Sequence, residues 1–230
     1  MHNIVKNTMF PGLLDLIAPH SCRGCGRLGQ PICECCKKYI IDGCANFCPC
    51  CKTPKIIGKC PKCKDLPPTF FIGERVGLLD QLIHDYKYHS VRALAPQLAE
   101  LLSVRLPKTL PRNSIIVPLP TATNHIRSRG FDHTQKIASE LAKIKKCKTQ
   151  PVFIRDKNTV QVGADRKTRL VQADRAFMIN SKIKIDRDAT YIVFDDVWTT
   201  GASINAAIKK LRAAGASKII VAILAVGRLD

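Results

Sequence analysis

The run from Tyr191 to Val226 constrains the fold more tightly than any other stretch of the chain. Tyr191-Ile192-Val193-Phe194 is a short apolar strand, Ile204, Ala207, Ile208 and Leu211 recur at helical spacing, and Gly215 supplies a stop. Lys218 to Val226 (KIIVAILAV) then forms a second strand with no polar alternation. A strand of that kind is buried on both faces, as in a parallel sheet covered by helices. Strand, helix and strand in succession make one βαβ unit. Upstream, Ser114-Ile115-Ile116-Val117 reads as a strand ended by Pro118, and a helix is expected from Thr134 to Lys145 with Ile137, Ala138, Leu141 and Ile144 on one side. Residues 69–112 read as mainly helical: Leu78, Leu79, Leu82, Ile83 and Tyr86 share one face, a second helix runs from Ala93 to Val104, and Pro107 and Pro111 close the segment. The expected class is α/β, a Rossmann-like parallel sheet with flanking helices.

The junction inside that βαβ unit carries the chemistry. Asp195 and Asp196 stand at the carboxyl end of the strand, followed by Val197, Trp198, Thr199, Thr200, Gly201, Ala202 and Ser203 before the helix. Ligands of open α/β sheets bind at that location. The free N–H groups and dipole of a helix N-terminus favour a phosphate. Gly201 and Ala202 let the backbone approach closely, Thr199, Thr200 and Ser203 offer hydroxyls, and Ser203 could also cap the helix. The two acids suit sugar hydroxyls or a divalent cation.

Eleven of the twelve cysteines lie between Cys22 and Cys63. They include four C-x2-C knuckles, Cys22/Cys25, Cys33/Cys36, Cys48/Cys51 and Cys60/Cys63. Paired knuckles suit two tetrahedral Zn2+ sites of structural type, with an iron–sulfur cluster as the rival. Spacing leaves the pairing open: sequential, or interleaved between the first and third knuckles. Cys35 or Cys50 could displace a neighbour, and Cys44 is spare. A module this small draws its folding energy from metal. It is expected to span residues 1–68, ending at Leu66-Pro67-Pro68, with the α/β domain over 69–230. Cys147 stands apart among lysines that could lower its pKa, and as a lone cysteine reads as a bystander.

The formal charge of +19 favours polyanionic partners, nucleic acid or phosphorylated substrates. Residues 143–187 alone hold 13 Lys/Arg against 4 Asp. No run approaches the apolar length of a transmembrane span, and Met1 to Ile17 lacks the apolar core of a secretory signal. The expected location is cytoplasmic.

The segment from Tyr191 to Ser203 resembles the motif by which type I phosphoribosyltransferases bind 5-phosphoribosyl 1-pyrophosphate (PRPP). The resemblance implies that Asp195 and Asp196 contact the ribose hydroxyls, with a catalytic part if the protein is an enzyme, and that Val197 and Thr199 to Ser203 cradle the 5-phosphate. It also implies a pyrophosphate loop at Val117-Pro118-Leu119-Pro120-Thr121, helped by Arg127 and Arg129 and by Mg2+. Taken whole, the chain is similar to the ComF (ComFC) family, which joins a double zinc ribbon to a phosphoribosyltransferase-like domain. The cysteine knuckles, the helix ending in Lys87, Pro118-Leu119-Pro120, Arg127-Ser128-Arg129-Gly130-Phe131 and the basic stretch with Arg155, Gln161, Arg166, Arg169 and Ala176-Phe177 carry that likeness. Two positions depart from the family's usual asparagines, Asp132 and Gln172. The resemblance implies PRPP, or a related sugar phosphate, as ligand, single-stranded DNA and proteins of a DNA-uptake machinery as partners, and the basic stretch as a flap over the substrate. A transferase of nucleobase or nucleotide metabolism and a non-enzymatic PRPP sensor are the alternatives.

Overall fold

The computed structural model describes residues 20–44, 46–54, 58–155 and 177–227. Gln161, Arg166, Arg169, Gln172 and Ala176, and with them most of the expected flap, lie outside the described residues.

The cysteine-rich part opens with a small ribbon, β1 (His20–Ser21) and β2 (Leu28–Gly29), and a helix, α1 (Glu34–Asp42). Then come β3 (Thr69–Glu74), α2 (Gly77–Tyr88), α3 (Leu94–Arg105), β4 (Ser114–Pro118), α4 (Thr123–Arg129), α5 (His133–Lys145) and β5 (Lys148–Thr149). β6 (Phe153–Arg155) and β7 (Phe177–Ile179) pair as a separate antiparallel ribbon. β8 (Thr190–Trp198), α6 (Ala202–Ala213) and β9 (Lys218–Val226) complete the chain. Five strands form one parallel sheet in the order β3-β9-β8-β4-β5, the α/β architecture implied by the phosphoribosyltransferase resemblance.

The side-chain period of a strand sorts β8 between two cores. Ile192 and Phe194 pack with Ile40 of α1, Leu82 of α2, Leu98 of α3 and Ile137 of α5. Tyr191 and Val193 pack with Ile204 and Leu211 of α6 and with Phe153 and Phe177 of the ribbon. Each fully buried leucine or isoleucine in these layers contributes on the order of 1.5–3 kcal/mol. β8 runs through both aspartates to Trp198, four residues beyond the end of its apolar run. Partners on both sides, β4 and β9, supply ladder hydrogen bonds that outweigh the polarity of the side chains.

The cysteine-rich part shares these cores. Cys22 packs into the first, and Cys48 and Cys60 into the second. Lys37 of α1, with its side chain 7% exposed, reaches Glu100 of α3 at 2.6 Å and Glu34 at 2.8 Å. An ammonium so buried is tolerable because two carboxylates hold it. Gln81 donates to the Arg23 carbonyl at 3.2 Å and Arg212 to the Asp65 carbonyl at 2.9 Å.

The crossovers locate the site. From β4 the chain passes through α5 to β5 on one side, whereas from β8 it passes through α6 to β9 on the other. β4 and β8 are neighbours in register from Ser114–Thr190 to Pro118–Phe194. The strand order therefore reverses between them, and a crevice opens beyond their carboxyl ends.

Candidate functional site

Two loops meet in that crevice. The loop after β4 is tied to β8 by the Leu119 N–H, which donates to the Phe194 carbonyl at 2.9 Å. Leu119, Pro120, Thr121, Thr134, Arg155, Phe177, Asp195 and Ser203 line a cleft of about 170 Å³. Pro118 ends β4 and is buried beneath it.

On the other wall, Gly201 is the N-cap of α6 at φ 75°. A Cβ there would meet the Trp198 indole at 2.3 Å, so both the left-handed backbone and the close packing demand glycine. The first intrahelical donor is Asn205, whose N–H reaches the Gly201 carbonyl at 2.9 Å. The N–H groups of Ala202, Ser203 and Ile204 precede it at the helix end, where an anion is favoured; that of Ala202 lies 3.4 Å from Thr200 Oγ1, its acceptor here. Ser203 does not cap the helix, contrary to the expectation from its hydroxyl: it lies two residues past the N-cap, and it lines the cleft. Thr200 is half-buried, Thr199 is exposed and Val197 packs against the first core.

The two aspartates have different surroundings because they point to opposite faces of β8. Asp195 faces the cleft. Burial first, then the neighbouring Asp196 charge, pushes its pKa up to about 7. Asp196, on the far face, is 8% exposed. Its Oδ2 receives Lys87 Nζ at 2.7 Å and His133 Nε2 at 2.5 Å. Burial alone would raise this carboxyl too, but the His133 hydrogen bond and the Lys87 ammonium outweigh it and hold Asp196 below the usual carboxylate range. Arg129, which can only donate, lies 2.9 Å from His133 Nδ1. That makes Nδ1 the acceptor and places the imidazole proton on Nε2, toward Asp196.

The same network reaches the β4 loop. Asp132 caps α5 through the Gln135 N–H at 3.1 Å and accepts from Thr121 and Thr134, each at 2.9 Å. Thr134 also lies 2.9 Å from the Leu119 carbonyl. The departure from asparagine at position 132 thus keeps a good N-cap. Of the two arginines expected to assist, Arg129 joins the network and lies over the Tyr88 ring at 5.2 Å, while Arg127 is exposed. His125 holds its proton more weakly than usual, through burial and then the nearby arginine and lysine charges, Arg129 foremost.

Thr121 belongs to the expected pyrophosphate loop, whereas His133 and Thr134 are not site residues on the sequence reading. Each of those two is an isolated polar residue at a helix start, and only the placement of α5 against β8 reveals its part. Arg155 and Phe177 stood in the basic stretch, and the structure seats both on the cleft. Cys147 behaves oppositely to its lysine-rich surroundings: it is half-buried, and burial raises its pKa more than Lys145 lowers it.

The knuckles pair sequentially. Cys22, Cys25, Cys33 and Cys36 form one group and Cys48, Cys51, Cys60 and Cys63 the other, with the sulfurs of each within 4.8 Å. Cys25 and Cys33 Sγ lie 3.6 Å apart, as do Cys51 and Cys60. That is far beyond a disulfide bond of about 2.05 Å. It is close to the edge, about 3.8 Å, of a tetrahedron with 2.3 Å metal–sulfur bonds. Burial raises the Cys22 pKa, but N–H groups of Cys33, Cys25 and Gly24 reverse this and bring it to about 6. Cys51 also falls to about 6, chiefly through Thr53. Such donors favour the thiolate, the form a metal binds. At Gly24 a Cβ would meet Cys36 Sγ at 2.7 Å, so the first knuckle needs glycine to close. Each group is therefore able to hold a structural zinc ion. Cys35, Cys44 and Cys50 stand outside both groups.

No family model matches the sequence, and no curated protein matches it. Among solved structures it is similar to one described as the allosteric regulatory enzyme of purine biosynthesis, at 14% identity and TM-score 0.43, covering 61% of this chain and 30% of that one. It is also similar to glutamine PRPP amidotransferase from B. subtilis complexed with ADP and GMP, at 13% identity and TM-score 0.42, covering 60% and 30%. The chain thus spans less than a third of the length of either structure. Among the described residues, no helix is long and apolar enough to cross a membrane.

Proposed function

We propose that the protein binds PRPP, or a related sugar phosphate, in the crevice between β4 and β8. One observation carries this: the open helix N-terminus of α6 and the Asp195 carboxylate line one cleft at the point where the strand order reverses. The α6 N–H groups and the hydroxyls of Thr200 and Ser203 would take the 5-phosphate. Asp195 would accept from the ribose hydroxyls. The β4 loop, Pro118 to Thr121, with Arg129 and Arg155, would face the pyrophosphate. Asp196, Lys87 and His133 would hold the floor. Mg2+ would neutralise the pyrophosphate when bound. In a transferase, charge stabilisation of a cation-like ribosyl centre and of the leaving pyrophosphate would do the work.

Calorimetry with PRPP and Mg2+ tests the reading. Asp195→Ala is expected to weaken binding by at least tenfold, about 1.4 kcal/mol. Asp195 must be ionised to accept two hydroxyl donors, so wild-type affinity should rise as pH passes upward through about 7. Absence of uptake by the folded protein would refute the reading. Pyrophosphate release with a panel of nucleobases then separates a transferase from a sensor.

We extend the reading to a ComF-like role, with residues 1–68 as a Zn2+-bearing module, residues 69–230 as the transferase-like domain, single-stranded DNA and uptake proteins as partners, and the cytoplasm as location. The charge of +19 supports it. Fluorescence anisotropy with labelled oligonucleotides should show affinity falling linearly with salt on logarithmic axes. No measurable binding at low salt would argue against this extension while leaving the PRPP site standing.

A further inference from the structure

A third cluster of metal-ligating side chains lies outside both cysteine groups, at the C-terminal end of α2. His84, Asp85 and His89 bring one donor atom each within 4.8 Å of one another. Asp85 Oδ1 lies 2.8 Å from His89 Nδ1. The His84 and His89 rings meet edge to face, with centroids 5.1 Å apart. We propose that these three residues form a binding site for a first-row divalent cation such as Zn2+, Co2+ or Ni2+.

The chemistry of the donors sets the class of ion. Two imidazoles and one carboxylate suit borderline transition metals, and are too rich in nitrogen for Ca2+ or Mg2+. With metal–donor bonds of about 2.1 Å, neighbouring donors lie about 3.0–3.4 Å apart. The Asp85–His89 contact is already near that span, and a small rotation of the exposed His84 ring completes the set. The carboxylate is prepared for the task. Its side chain is 9% exposed, and Arg23 Nε stands 3.6 Å from Oδ2, leaving Oδ1 to face the imidazoles. The helix end helps as well, because the last carbonyls of α2 carry the negative pole that favours a cation. Binding at His89 Nδ1 would replace its hydrogen bond to Asp85 Oδ1, with the ring proton moving to Nε2 so that the imidazole ligand stays neutral. His84 and His89 are both exposed, so the remaining coordination positions face water or a ligand. Tyr88, whose ring is 4.9 Å from His84, also lies under Arg129, which places the ion beside the rim of the PRPP crevice without depending on it.

The experiment uses the full chain as isolated, with the metal content of the cysteine groups first counted by native mass spectrometry. Zn2+ and, separately, Co2+ are then titrated by calorimetry and absorption. One further equivalent should bind, and its cobalt spectrum should lack sulfur-to-metal charge transfer. The double variant His84→Ala/His89→Ala should weaken this equivalent by about 100-fold or more, since even an outer partner of a metal ligand costs 10–100-fold. Its fold is checked by circular dichroism and a cooperative thermal transition, with a small fall in melting temperature expected because the buried Asp85 loses its His89 partner. A chain that takes up no further equivalent, or a folded double variant that binds it as tightly, overturns the assignment. Conservative His84→Gln and His89→Gln chains serve as a second pair.

Discussion

Removing the metal from the two cysteine groups should unfold the hydrophobic cores of the whole protein, beyond any local loosening of the cysteine-rich part. Cys22 packs in the same core as Leu82, Ile83 and Tyr86 of α2, and Cys48 and Cys60 in the same core as Phe71 and Val193. Without an ion, each group would hold four sulfurs within 4.8 Å, with Cys22 in one and Cys51 in the other prone to ionise. Structural zinc supplies an apparent 10–16 kcal/mol per site in small domains. The net stability of a folded chain is of the order of 5–15 kcal/mol. Loss of even one ion therefore rivals the whole margin. A chelator strong enough to strip both sites, checked by metal analysis, should abolish the cooperative thermal transition and the near-ultraviolet circular dichroism. PRPP binding should be lost with them, because α2 carries Lys87 into the site and the first cysteine group packs on that helix. A metal-free chain that melts cooperatively near the wild-type temperature would show that the thiols alone sustain the fold. The optical spectrum of the isolated protein separates zinc from an iron–sulfur cluster, since only the latter is coloured.

The adjacent aspartates should respond to substitution in opposite ways. Asp196→Asn leaves Lys87 and His133 facing a neutral group in a site where the Lys87 side chain is 12% exposed and that of Asp196 11%. Breaking a buried ion pair from one side costs about 3–5 kcal/mol. In a chain of this size that corresponds to a fall in melting temperature of roughly 10 °C at neutral pH. The sign of the pH dependence follows from the lowered pKa. Asp196 contributes stability above the unfolded carboxylate value of about 3.9, and that contribution fades as pH falls through the depressed folded value. Wild type and Asp196→Asn should therefore converge on acidification. Any metal held by the cysteine groups would leave both chains in acid, so the difference between the two chains is the readout. Asp195 has a raised pKa, and its contribution is complete below about 3.9 and is lost as pH rises through about 7. Asp195→Asn should accordingly melt at or above the wild-type temperature at pH 8, while losing PRPP affinity. Equal losses of stability in both variants would contradict the division of labour.

Much of the site's outline was legible in local sequence. The apolar run of β9, the acids ending β8 and the glycine at 201 each follow from rules acting over a few residues: strand burial, helix-end electrostatics and left-handed backbone. The boundaries of α3 and α5 lie within a residue of those the periodicity indicates, for the same reason. The two groups of four sulfurs were legible because C-x2-C brings two sulfurs together through a single turn.

What the sequence by itself determined was the chemistry available at each position and the elements that carry it. What only the tertiary structure decided was which of those positions meet. Sequential pairing of the knuckles, the seating of Asp196 between Lys87 and His133, the exclusion of Arg127 and the inclusion of Arg155 all depend on contacts between residues distant in the chain. Adjacent acids look alike in sequence. They part company because successive side chains of a strand leave opposite faces of the sheet, one toward the ligand crevice and the other into a core whose helices supply the compensating charge.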